Sequence, residues 1–203
     1  MNQNPSTRDE KYTERLVSKE SIWWKRLIDA QAPYRWNLRR LNLGFTLDIG
    51  CGVGRNLLHL SGNGVGIDHN RASVEVARSR GLTAFLPDEF DRSEFNLPHR
   101  FDAILIAHVL EHMTEPEAAE LLERYLGLLK PGGRVVLITP QERGFKSDAT
   151  HVQFMDFAAL SRLSEMAGLL PVREYSFPFP RAAGRVFTHN EFVSLSAKPE
   201  VGR

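Results

Sequence analysis

Leu47-Asp48-Ile49-Gly50-Cys51-Gly52-Val53-Gly54-Arg55 sets an acidic residue at the end of a short apolar run and follows it with a glycine-rich turn. Phe45 to Ile49 reads as a strand and Asn56 to Leu60 as a helix, so the glycines occupy a strand-to-helix turn where bare backbone can approach a ligand closely. The spacing is G-x-G-x-G, and Arg55 stands where the G-x-G-x-x-G dinucleotide fingerprint requires Gly or Ala. Asp48 at the mouth of the turn repels phosphate and attracts an ammonium group. A pyrophosphate site of the dehydrogenase kind is therefore disfavoured.

Outward from this turn, short apolar runs alternate with helical segments, the pattern of a parallel sheet covered by helices. The remaining strands are expected at Gly64 to Ile67, Thr83 to Phe85, Ala103 to Ile106, Arg134 to Thr139, Val172 to Phe177 and Glu191 to Ala197. Helices are expected at Ser73 to Arg80, Pro116 to Leu129 and near Phe157 to Ala167, with Lys130-Pro131-Gly132-Gly133 closing the second of these by a tight turn. Gln141 to Thr150 reads as a loop. Ahead of the core, Leu16, Ile22, Trp23, Leu27 and Ile28 recur at helical spacing until Pro33 interrupts them, which suggests two amphipathic helices. Trp23 and Trp24 read as helix-face aromatics more readily than as a ring for stacking a substrate.

The 203 residues, 42% of them hydrophobic, suffice for one domain with a sizeable core. The expected division is a flexible end at 1–10, a helical cap or lid at 11–42, and the core at 43–200. A formal charge of +1 and the lack of a Lys/Arg-rich run argue against nucleic acid as partner. No stretch approaches the ~20 apolar residues of a membrane span, and the polar start has no signal-peptide core, so the expectation is a cytoplasmic protein, monomeric or homodimeric. Cys51, the single cysteine, reads as a packing residue inside the glycine turn.

Three further strand ends carry polar groups toward the same crevice. Val65-Gly66-Ile67-Asp68 ends in a carboxylate whose two oxygens suit the hydroxyls of a ribose. Asp88 and Glu89 offer acceptors for an adenine amino group, with Phe90 as a flat neighbour, although a solvated loop explains them equally well. The fourth runs from Phe101-Asp102-Ala103 into Ala107-His108-Val109-Leu110-Glu111-His112.

These motifs, in this order, together with Leu129-Lys130-Pro131-Gly132-Gly133, resemble the class I S-adenosylmethionine (SAM)-dependent methyltransferases, in particular the small-molecule branch that includes ubiquinone-biosynthesis O-methyltransferases. The resemblance spans about residues 45 to 140. It implies a Rossmann-like α/β fold with a seven-stranded, mostly parallel sheet whose last strand is antiparallel. It further implies that Asp48, Gly50, Cys51, Gly52 and Gly54 hold the methionine portion of SAM, that Asp68 holds the ribose with His69 also at the cofactor, and that Asp88, Glu89 and Phe90 surround the adenine. Ala107 and His108 lie beside the cofactor in this reading. Pro33-Tyr34-Arg35-Trp36, Thr150-His151-Val152-Gln153-Phe154-Met155-Asp156 and Phe177-Pro178-Phe179-Pro180-Arg181 are similar to actinobacterial methyltransferases linked with polysaccharide modification.

Methyl transfer from a sulfonium is an in-line displacement, and an oxygen acceptor must also lose a proton, to a general base or with help from a metal such as Mg2+. His151, after the fifth strand, is the first choice for base or orienter, with Asp148 as its orienting partner or fellow metal ligand. His108 and His112 are alternatives, and each histidine could instead cap a helix or bond the backbone. Arg181, Arg185, Phe177, Phe179 and Phe187 could shape an acceptor pocket for a sugar or phenol. The expected reaction is O-methylation of a small molecule or glycan. N- or C-methylation and a non-catalytic SAM-binding subunit are its rivals, and the absence of an Asn-Pro-Pro-Tyr type signature speaks against base-amino methylation.

Overall fold

The computed structural model describes residues 31–200. The expected flexible end and the helices carrying Leu16, Ile22, Trp23, Trp24, Leu27 and Ile28 lie outside the described residues. The chain divides into two compact units between Phe95 and Asn96.

The first described element of the first unit is α1 (Ala32–Arg40), and Pro33 lies in its first turn. Proline is tolerated there because the first helical N–H groups have no intrahelical partner, so Pro33 opens a helix as well as interrupting the preceding pattern. β1 (Thr46–Ile49), β2 (Gly64–Ile67) and β3 (Ala84–Phe85) are parallel, with Asp48 opposite Gly66 and Ile67 opposite Phe85. α2 (Arg55–His59) and α3 (Arg71–Ser79) provide the crossovers, and α3 starts where the Asn70 side chain accepts the Ser73 amide at 3.1 Å. A short helix, α4 (Pro87–Asp91), follows β3 directly.

The second unit holds β4 (Phe101–Ala107), β5 (Leu129–Pro140), β6 (Leu170–Phe177) and β7 (Glu191–Ala197). β4 and β5 are parallel, and β7 lies antiparallel between β5 and β6. Ile104, Leu105 and Ile106 are wholly buried, as expected of a strand covered on both faces. α5 (Glu115–Leu126) starts with Pro116 in its first turn and with the Glu117 carboxylate accepting the Thr114 amide at 2.7 Å. α6 (Glu142–Phe145) lies within the expected loop, and α7 (Phe157–Met166) is capped by Asp156. The seven strands are ordered β3-β2-β1 in the first unit and β4-β5-β7-β6 in the second, mostly parallel with β7 antiparallel to its neighbours. No described helix is long and apolar enough to cross a membrane.

Candidate active site

In the first unit the glycine turn is bent by backbone that only glycine adopts without strain. Gly50, Gly52 and Gly54 have φ of 73°, 53° and 81°. A Cβ on Gly54 would also clash with Leu82 Cδ1. The Gly50 and Cys51 amides both donate to the Ile67 carbonyl, at 2.8 and 3.0 Å, which ties the turn to the end of β2. Asp68 completes the tie: one carboxylate oxygen accepts the Gly52 amide at 2.7 Å and the other the Asn70 amide at 2.8 Å. Each oxygen keeps a further lone pair. His69 beside it is exposed, with Nδ1 4.0 Å from Asp68.

Asp48 is fully buried, and neither carboxylate oxygen has a hydrogen-bond partner. Burial pushes its pKa up to about 7; the Asn56 side chain, near but outside hydrogen-bonding geometry, pulls it down somewhat, and the Asp68 charge raises it further. A buried, partnerless acid next to open glycine backbone is strained toward any group that brings positive charge and N–H donors. This orphaned carboxylate fits a cationic group such as the ammonium of an amino acid. Cys51 is buried among Leu57, Val74, Ala77 and Ala84, and burial raises its thiol pKa well above the usual value, as befits a packing residue.

The expected adenine neighbours are used unevenly. Asp88 is exposed in the first turn of α4. The Glu89 carboxylate accepts the Leu86 amide and pairs with Arg78, which holds its pKa below the usual range. Phe90 is fully enclosed and packs edge-on to Phe85, its centroid 6.3 Å away, so the ring serves the core. Arg80, unmarked by sequence reasoning, donates to the Val53 carbonyl at 3.0 Å and braces the glycine turn.

In the second unit β4 runs through Ala107 into His108, which has a left-handed φ of 58°. Such backbone is uncommon outside glycine and re-aims the ring at the strand end. His108 Nε2 lies 2.8 Å from Glu191 and Nδ1 3.3 Å from Glu111. Partial burial alone would lower its pKa, but the bonds to Glu111 and Glu191 outweigh this and raise it to about 10. His108 is therefore an imidazolium at neutral pH, a donor and not a base.

His112 and His151 form a separate pair, their rings in edge contact with centroids 4.9 Å apart. Two backbone bonds bring them together, the Val152 and Gln153 amides both donating to the Glu111 carbonyl. His151 Nδ1 is 2.7 Å from the Phe145 carbonyl, and its ring stacks on that of Phe145. His112 Nδ1 is 3.2 Å from the Thr150 carbonyl, and burial pulls the His112 pKa down. The Phe145 carbonyl, and not Asp148, orients His151. Asp148 instead folds back onto Thr150, accepting from its amide at 2.9 Å and its hydroxyl at 2.7 Å.

Elsewhere Arg181 pairs with Glu142 and covers the Phe192 ring, Phe177 is buried, and Phe179 is half exposed against Phe187. Arg185 is exposed.

Residues 46–133 match the family described as methyltransferase domain. The chain is 27% identical over 149 residues to the ubiquinone biosynthesis O-methyltransferase of Proteus mirabilis, a match covering 64% of this chain and 60% of that protein's length. Its fold is like that of a Haloferax volcanii methyltransferase solved with the Trm112 methyltransferase activator, with a TM-score of 0.71, 20% identity, and coverage of 98% of this chain and 100% of that one. It is also like Haemonchus contortus phosphoethanolamine N-methyltransferase 2 in complex with SAM, at TM-score 0.58 and 15% identity, covering 77% of this chain and 49% of that one. Residues 46–133 thus carry the methyltransferase-domain signature, on a fold like that of solved methyltransferases.

Proposed function

We propose that this chain is a SAM-dependent methyltransferase that methylates a hydroxyl group of a small molecule or glycan, a sugar or oligosaccharide being the acceptor class. The observation that carries the cofactor half of this reading is the buried, partnerless carboxylate of Asp48 beside the glycine turn. Asp48 pairs with the ammonium of the methionine end, the glycine turn admits that end close to the backbone, and the spare lone pairs of Asp68 receive the ribose hydroxyls. Exposed Asp88 meets the adenine amino group. Bound SAM supplies an electrophilic methyl on a sulfonium, open to in-line displacement.

Oxygen as the acceptor atom is supported by the His112 and His151 pair. With Nδ1 of each ring on a backbone carbonyl, each Nε2 presents a lone pair. His151 orients the acceptor hydroxyl, with His112 beside it, while the His108 imidazolium acts as a fixed positive donor and the hydroxyl proton leaves to solvent. The test is incubation of purified protein with methyl-labelled SAM and fractionated extract, with and without chelator, followed by identification of the product. Label ether-linked to a hydroxyl-derived oxygen supports the reading. Label on nitrogen or carbon would replace its acceptor half, and SAM binding without transfer to any fraction would favour a non-catalytic subunit.

A further inference from the structure

We infer that Glu111, His112 and His151 form a binding site for one divalent first-row transition-metal ion. Each offers one ligand atom, and these three atoms lie within 4.8 Å of one another. Metal bonds of about 2.0–2.2 Å place ligand atoms roughly 3–3.5 Å apart, so closing on an ion requires only about an ångström of side-chain adjustment.

The orientation of each ligand supports the site independently of that proximity. A metal-bound histidine typically gives its other ring N–H to a carbonyl or carboxylate, which fixes the tautomer. Both rings already do so, His151 on the Phe145 carbonyl at 2.7 Å and His112 on the Thr150 carbonyl at 3.2 Å. Glu111 is 1% exposed; its Oε1 is held by His108 at 3.3 Å, whereas its Oε2 is buried with no partner. An anionic oxygen withdrawn from water without a donor is costly, and a cation between it and the two imidazoles removes that cost. Glu191 balances the charge of His108 from its other side, and Asp148 faces Thr150 close by. The surroundings of the site are therefore not net positive.

Two imidazoles and one carboxylate suit Zn2+ and its first-row neighbours better than Mg2+, which prefers oxygen ligands. Three protein ligands leave a coordination position open. Resting on the hydroxyl-methylation reading above, an acceptor hydroxyl in that position would be acidified. Its proton would pass to solvent, an oxygen lone pair would form the bond to the methyl carbon, and the broken S–C bond's electron pair would stay on sulfur.

The test uses the full chain, treated with chelator and desalted, titrated with Zn2+ and separately with Mg2+ by calorimetry, with bound metal counted by mass spectrometry after gel filtration. One equivalent of Zn2+ is expected, unaffected by millimolar Mg2+. Glu111→Gln and His151→Ala are expected to weaken binding by about 100-fold, while His99→Ala on the exposed surface leaves it unchanged. His112→Ala replaces Glu111→Gln should the buried substitution fail to fold by circular dichroism. Absence of stoichiometric Zn2+, or equal affinity in the ligand variants, would overturn the site. SAM binding measured in chelator is a separate readout: its persistence alongside a failed Zn2+ titration would sink the metal site and leave the cofactor reading standing.

Discussion

Asp68 holds the Gly52 amide at 2.7 Å, so the residue assigned to the ribose is also a strut of the turn assigned to the methionine end. A charge-assisted bond of this kind contributes about 1.5–3 kcal/mol. Asp68→Asn keeps an acceptor for one amide but sets an NH2 group against the other. We expect a lower melting temperature together with S-adenosylhomocysteine affinity reduced by at least about tenfold, read by thermal melts and calorimetry. A lower melting temperature with unchanged affinity would reduce Asp68 to a structural role.

Asp48 should show the opposite balance. Above pH 7 its ionised form is buried without a partner, and a pKa raised from 3.8 to about 7 corresponds to a cost on the order of 4 kcal/mol. Asp48→Asn removes the charge at nearly constant volume. We expect the ligand-free variant to melt higher than the parent at pH 8, by about 5 °C or more, and to have lost most of its SAM binding. A variant that melts lower at pH 8 would mean that Asp48 has a stabilising partner.

The same carboxylate sets a pH dependence. Between pH 4 and 7 the folded state holds a proton on Asp48 that the unfolded chain has released, so its contribution to stability falls as pH rises through this range and is level above it. Cation binding runs the other way. SAM affinity should weaken about tenfold per unit as pH falls below 7, and binding near pH 6 should release close to one proton, visible by calorimetry in buffers of differing ionisation enthalpy. Affinity independent of pH from 5.5 to 8 would contradict the pairing.

His108 between Glu111 and Glu191 should remain protonated well past neutrality. Its raised pKa means that its stabilising contribution is complete below about pH 6.5 and lost as pH rises through about 10. In an NMR titration of the histidine rings, we expect one ring to hold its imidazolium shifts to at least pH 8.5, and the His112 ring to titrate below the ordinary histidine value. His108→Gln should abolish the late titration. Finding the His108 ring neutral at pH 7.5 would reopen it as a base.

The glycine turn and the carboxylates beside it were legible in the sequence because their signals are local. Asp48 and the three glycines lie within seven residues, and each carboxylate marks a strand end. β1, β2, β4 and β7 followed from runs that are buried along nearly their whole length, whereas β6 is mostly exposed. Local signals also misled. Phe90 follows β3 as a flat neighbour should, but α4 begins at Pro87 and turns the ring into the core. The helix expected to reach Leu129 stops at Leu126, because Leu129 is wholly buried and pairs with Phe101 as the start of β5. Asp148 at three residues from His151 suggested an orienting carboxylate, yet it bonds back to the Thr150 amide and hydroxyl. Glu191, 83 residues from His108, and the Phe145 carbonyl beneath His151 left no local trace, since only the sheet order and the loop fold bring them in.

The central claim is that the glycine turn beside Asp48 takes SAM, and calorimetric titration of the full chain with S-adenosylhomocysteine at pH 8 tests it most directly. The account predicts one binding site per chain in the parent, with the signal lost in Asp48→Asn while that variant stays folded. No binding by the parent, or equal binding by the two proteins, would contradict it.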